Sequence, residues 1–164
     1  MARNPLRASW ILVLMLFFVG AAAPIGAQGR FIDNGDGTVT DTQLQLMWAK
    51  TDNQGDVTWK EAQRWCRTGP PHLIGRYDNW RMPTLEELRS LYVADPAYPG
   101  YETPCGQQVR ITPEIELSCG WLWSGEQRSI SARVFNFSRG YEYTDRMVHR
   151  RHYRALPVRN LNGQ

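Results

Sequence analysis

The chain reads as an α+β protein. Three features predict this: a turn-rich hairpin within residues 30–50, two short helices each opened by a capping box, and alternating strands from Trp121 onward.

Residues 1–27 have the form of a secretory signal. Arg3 and Arg7 give a positive start, Trp10 to Gly20 is an unbroken apolar run, and "AAAPIGA" supplies small residues with cleavage after Ala27. The apolar run is short for a membrane span of about 20 residues. The expectation is therefore an exported protein, periplasmic or extracellular, with no membrane span once the signal is cleaved. No Cys follows the apolar run, which argues against a lipoprotein. Residues 28–164 then form a single domain, and seven Trp with seven Tyr argue for a packed globule.

In the hairpin, Phe31 and Ile32 precede "DNGDG", and "TVTD" follows with β-branched alternation. "DNGDG" also resembles a calcium loop, but the spacing fails. Counted from Asp33 the third position is Gly35, and counted from Asn34 no Glu stands at the twelfth. A turn is expected, with no metal site at Asp33, Asp36 and Asp41. Leu46-Met47-Trp48 reads as the next strand.

Thr58-Trp59-Lys60-Glu61 is a capping box, and Trp59, Ala62 and Cys66 fall on one helical face before Gly69-Pro70-Pro71 ends the helix. Thr84-Leu85-Glu86-Glu87 is a second box, placed directly after Pro83. Leu85, Leu88, Leu91 and Tyr92 form its buried stripe, with a stop at Asp95-Pro96. Trp121/Trp123, then Arg133 to Phe137, Tyr141/Tyr143 and Leu156/Val158 read as strands of an antiparallel sheet, with a turn at Ser138-Arg139-Gly140.

Three cysteines in an exported chain leave one thiol unpaired or intermolecular. Cys105 and Cys119 bracket an irregular loop and are paired here. Closing such a loop contributes about 3 kcal/mol in the chain-entropy account. Cys66 is expected as a buried thiol.

Catalytic signatures are missing from the sequence. It holds no zinc-ligand spacing, nucleophile elbow or phosphate loop, and Glu86-Glu87 sits in a helix's first turn, where the dipole explains it. No catalytic residue, cofactor or metal is assigned, and the protein is expected not to be an enzyme.

Charge is unevenly placed. Residues 28–127 hold 9 Lys/Arg against 14 Asp/Glu, a net of −5, while residues 128–164 hold 8 Arg against Glu142 and Asp145, a net of +6. Such asymmetry fits an anionic partner or an internal complement between the two parts. Within "RMVHRRHYR", Arg146, Arg150, Arg151 and Arg154 are the candidate anion patch. On an extended strand Arg150, His152 and Arg154 would share one face, and Arg151 and Tyr153 the other. His149 and His152 would then face different ways. Trp121 and Trp123 invite a sugar-stacking role, with at least one of them in the core.

Trp48, Trp80, Arg81, Pro83 and Trp123 read as structural residues. In "DNWRMPTLEELRSL", Trp80 anchors a helix entry, Arg81 seeks carbonyls or a carboxylate, and Pro83 fixes the approach to the cap. Trp80 is expected beside the second helix. This segment, with "RFIDNGDGTVTDTQLQLMWAK", "TWKEAQRWC" and "WLWSGE" in the same order, resembles the Lcl C-terminal domain family from Arg30 to about Arg159.

The resemblance implies a C-type-lectin-like fold, distantly similar to the formylglycine-generating enzymes. It also implies an exported module that binds an anionic or sulfated polysaccharide, as the namesake adhesin domain binds sulfated glycosaminoglycans. Nothing points to nucleic acid. Relatives often end "RCVR", where this chain reads "RALPVR" with Pro157 in place of the Cys, so the resemblance leaves Cys66 without that partner. No collagen-like repeat precedes the domain. Two other readings stand beside the binding module: an oxidase akin to the formylglycine-generating enzymes, and a structural envelope domain that contacts other proteins.

Overall fold

A computed structural model describes residues 29–162, so the expected signal peptide lies outside the described residues. Among these, no helix is long and apolar enough to cross a membrane.

The hairpin forms where the turn chemistry places it. Strands β1 (Phe31–Asp33) and β2 (Thr38–Asp41) pair antiparallel, and Gly35 and Gly37 supply positive φ between them. The three carboxylates of this region are consumed locally. Asp33 accepts from Lys50 Nζ at 2.8 Å, Asp36 from the Thr38 amide and hydroxyl and the Tyr77 hydroxyl, and Asp41 from Arg30. Strand β3 (Leu46–Ala49) continues the meander. The sheet is completed by β10 (Val158–Asn160), which sets Val158 opposite Trp48 in the order β1-β2-β3-β10.

Both capping boxes are made. Thr58 and Glu61 exchange hydrogen bonds at the start of α1 (Trp59–Thr68), and Thr84 and Glu87 do so at the start of α2 (Leu85–Ser90). Helix α1 buries Trp59, Ala62 and Cys66 and stops at Gly69, as its sequence requires. Helix α2 is shorter than its apolar stripe. Leu91 is its C-cap, and Tyr92 instead bridges Ile111, because Val93 donates to the Arg110 carbonyl and Thr112 to that of Leu91. The long loop thus takes the backbone groups that a further turn of helix would need.

That loop contains a two-stranded ribbon, β4 (Tyr101–Glu102) with β5 (Gln108–Val109). The Cys105–Cys119 disulfide closes it, and Cys66 is a buried free thiol.

The second sheet has the order β8-β7-β6-β9, built from β6 (Trp121–Arg128), β7 (Ser131–Asn136), β8 (Tyr141–Arg146) and β9 (Tyr153–Arg154). It differs from the expected antiparallel sheet at one edge, where β9 runs parallel to β6. Both faces are covered at its centre. Leu122 and Phe135 enter the main core with Trp48, Leu88 and Val158, while Trp123 and Val134 face α1 through Trp59, Ala62 and Cys66. Trp123 stacks on Tyr153 with ring centroids 4.4 Å apart and donates to the Val57 carbonyl, so of the two tryptophans it is the one in the core.

Trp48 and Trp80 are buried as expected, but Trp80 does not pack beside the second helix. It joins Met47 and Leu73, edge-on to Tyr77, and lies over the end of α1. Gly69 permits this: a Cβ there would meet Trp80 Cδ1 at 2.7 Å, and its φ of 77° suits glycine. Arg81 sits next to it in sequence but works elsewhere. Its guanidinium pairs with both Glu87 oxygens at 2.8 and 2.7 Å and reaches Asn160, while its backbone bridges Val158. Pro83 is buried ahead of the Thr84 cap, and its carbonyl accepts from the Gly125 amide.

Candidate functional site

The connection from β8 to β9 is where the basic segment lies. It is a double turn and not the extended strand that alternation suggests. His149 donates its amide to the Arg146 carbonyl and Tyr153 donates to that of Arg150, each closing a tight turn. His152 takes a φ of 68°, with its amide bound to Asp56 Oδ1 at 3.1 Å. Asp56, from the segment between β3 and α1, therefore fixes the exit of the turn.

This geometry corrects the sequence reading in two respects. First, Arg154 is not on the surface: it is 6% exposed, with Nε donating to Ser118 Oγ at 2.7 Å and Nη1 to Asp56 Oδ1 at 2.6 Å. Ser118 in turn donates its hydroxyl and amide to the buried Asp52. Arg154 belongs to an internal network because a guanidinium can satisfy several fixed acceptors at once. Second, His149 and His152 do not face different ways. Both line a shallow groove of about 490 Å³ with Trp121, Arg150, Arg151, Asp145 and Tyr153. The turn, not strand alternation, sets their directions.

Arg146, Arg150 and Arg151 are exposed. Arg150 touches the Asp56 carbonyl at 3.1 Å and lies 4.0 Å from Glu61, and its side chain remains 60% exposed. Arg151 donates to His152 Nε2 at 3.1 Å. Among the described residues neither Arg146 nor Arg151 has a carboxylate partner. The groove thus receives Arg150 and Arg151, with Arg146 outside its lining at the end of β8.

A chain of hydrogen bonds underlies the groove. The Tyr143 hydroxyl donates to that of Tyr153 at 3.1 Å, Tyr153 donates to Asp145, and Asp145 bonds His149 Nδ1 at 2.8 Å. Burial acts to raise the Asp145 pKa, but the bonds from Tyr153 and His149 outweigh it and hold the carboxyl below its usual value. Burial pushes Tyr143 up to about 12 and raises Tyr153 as well, so both stay neutral donors at physiological pH. The hydrogen bond from Arg154 holds Asp56 below its usual value. Asp145, Asp56, His149 and His152 escaped the sequence reading as site residues, since Asp56 meets the turn from nearly a hundred residues away.

Among the described residues, one grouping of His, Cys, Asp and Glu brings its ligand atoms within 4.8 Å of one another: Cys105, Cys119 and His152. Its two sulfurs are joined to each other, which leaves a single imidazole as a donor.

The Lcl C-terminal domain model matches residues 37–159, from the hairpin turn into β10. The chain belongs to that family. The Lcl C-terminal domain thereby includes the whole groove, the disulfide, both helices and the start of the closing strand. No curated protein matches the chain.

Proposed function

We propose that this Lcl C-terminal domain is an exported, non-catalytic module, lectin-like in fold, that binds an anionic polysaccharide through the groove of the β8–β9 turn. The observation that carries the reading is the composition of that groove. Exposed guanidinium groups of Arg150 and Arg151 stand beside the half-buried ring of Trp121, with Arg146 nearby in the chain. Guanidinium suits sulfate and carboxylate, and an indole suits the apolar face of a sugar ring.

Three further features support it. The Cys105–Cys119 disulfide suits an oxidising compartment, in keeping with the signal-like residues 1–27. Cys66 is fully buried and its thiol pKa is pushed far up by burial, which leaves it without thiolate character. Arg154 and Arg159 meet Asp56 and Asp78 internally, whereas Arg146 and Arg151 stay available to a ligand.

Single exposed ion pairs contribute only about 0–1 kcal/mol, so binding relies on several contacts and on counterion release, which makes it fall with salt. Heparin-column retention of the protein tests this. Wild type should be retained at low salt and elute as salt rises. Arg150→Glu with Arg151→Glu should abolish retention while the melting temperature changes little. Flow-through of wild type at low salt rejects the reading.

A further inference from the structure

Beyond the arginines, the outer face of the second sheet carries an aromatic row that the fold does not explain in full. Trp121 of β6, Asn136 of β7 and Tyr141 of β8 stand opposite one another in register, and Trp123, Val134 and Tyr143 form the next row on the same face. In the second row Trp123 is covered, since it lies under Tyr153, while Tyr143 stays half-buried. At the first row the face opens to solvent. Tyr141 is 46% exposed and belongs to none of the apolar clusters, while Tyr143 and Trp121 are half-buried at the border of one. The rings follow one another at 5.9 Å from Tyr141 to Tyr143, 6.5 Å from Tyr143 to Trp121, and 5.7 Å from Trp121 to His152. The row therefore runs from the sheet edge into the basic groove.

The acid between the two tyrosines is turned away. Glu142 points to the opposite face and is held by Arg89 and Arg133, while Asp145, on the same face as the tyrosines at the groove end of β8, is engaged by Tyr153 and His149. Apolar ring faces leading to guanidinium groups complement a ligand that has both an apolar face and acidic substituents. A pyranose chain bearing sulfate or carboxylate has that character.

We propose that Tyr141, Tyr143 and Trp121 form a stacking track for the sugar rings of an acidic polysaccharide whose charged groups sit at Arg150 and Arg151. The proposal rests on the anion-groove reading and extends it from a point of attachment to a path several sugars long. The track supplies contact that does not depend on salt, and the arginines supply the part that does.

The test uses size-defined heparin disaccharide and octasaccharide, with a neutral glucan octasaccharide beside them, titrated at several salt concentrations into wild type and Tyr141→Ala. Tyr141 is exposed, so the variant should melt like wild type. A ring contact of this kind corresponds to a change in affinity of about two- to tenfold. The expected result is that Tyr141→Ala weakens heparin octasaccharide binding by that factor at every salt concentration. The slope of log Kd on log salt should stay unchanged, and so should disaccharide binding. Identical octasaccharide affinity in wild type and Tyr141→Ala overturns the track and leaves the anion groove standing. Failure of wild type to bind the heparin octasaccharide overturns both. Equal wild-type affinity for the neutral and heparin octasaccharides, weakened by that factor in Tyr141→Ala, supports the track and overturns the anion groove.

Discussion

Arg150 and Arg154 stand four residues apart with the same guanidinium, yet Arg154 is buried and Arg150 remains mostly exposed. What separates them is the set of acceptors each meets. Arg154 finds Asp56 and Ser118, residues from distant parts of the chain, and Ser118 passes the contact on to Asp52. Burial raises the Asp52 pKa, and the Ser118 bonds, the Gln54 amide and the charge of Arg154 act against that rise. Arg154→Ala should therefore act on stability first. Losing hydrogen bonds to a charged group costs about 1.5–3 kcal/mol. Chemical denaturation should show that loss, and an unchanged midpoint would contradict the internal role. None of this could be read from "RMVHRRHYR", where all the arginines look alike. Burial of a guanidinium depends on partners 36 and 98 residues away. Cys66, by contrast, was legible, because its helical face is set by Ala62 and Trp59, four and seven residues before it.

Elements defined by local chemistry followed the sequence closely. The two capping boxes, the Gly69 stop and the Asn-Gly/Asp-Gly turn each need only a few adjacent residues, and each formed where read. The β8–β9 turn did not, since its alternation of Arg and His imitates a strand while the Asp56 contact and the positive φ of His152 fold it back. Helix α2 gives a test at this scale. Burial raises the Glu87 pKa, but hydrogen bonds from Arg81 and Thr84 more than offset this and hold it below its ordinary 4.5. A depressed acid contributes stability that is fully present above its unfolded pKa and is lost as pH falls through the folded one. The melting temperature of wild type should thus exceed that of Glu87→Gln at pH 7, and the gap should narrow as pH is lowered beneath 4.5. A gap that stays constant to pH 3 would show that the Arg81–Glu87 pair carries no such linkage.

Across the whole molecule, the division between an acidic first part and a basic last part is partly an internal complement. Arg154–Asp56 and Arg159–Asp78 join the two parts, and Arg150 approaches Glu61. Of the arginines that remain exposed in the last part, Arg146, Arg150 and Arg151 lie at the β8–β9 turn, and Arg128 and Arg139 lie at the two hairpin turns before it. The α+β character was legible from periodicity alone. The parallel placement of β9, and the closing of the first sheet by the last strand, were not, since strand order is set by contacts far apart in sequence. The β3–β10 pairing brings Trp48 against Val158, and Arg81 bonds the same strand from its other side. Removing residues 158–164 should therefore abolish cooperative thermal unfolding, as followed by near-ultraviolet circular dichroism. Pairings across so long a stretch of chain form late and slowly. A growing chain holds Met47 and Trp48 on an open strand edge until residues 158–160 arrive, so the interval between the two is a window of exposure to aggregation.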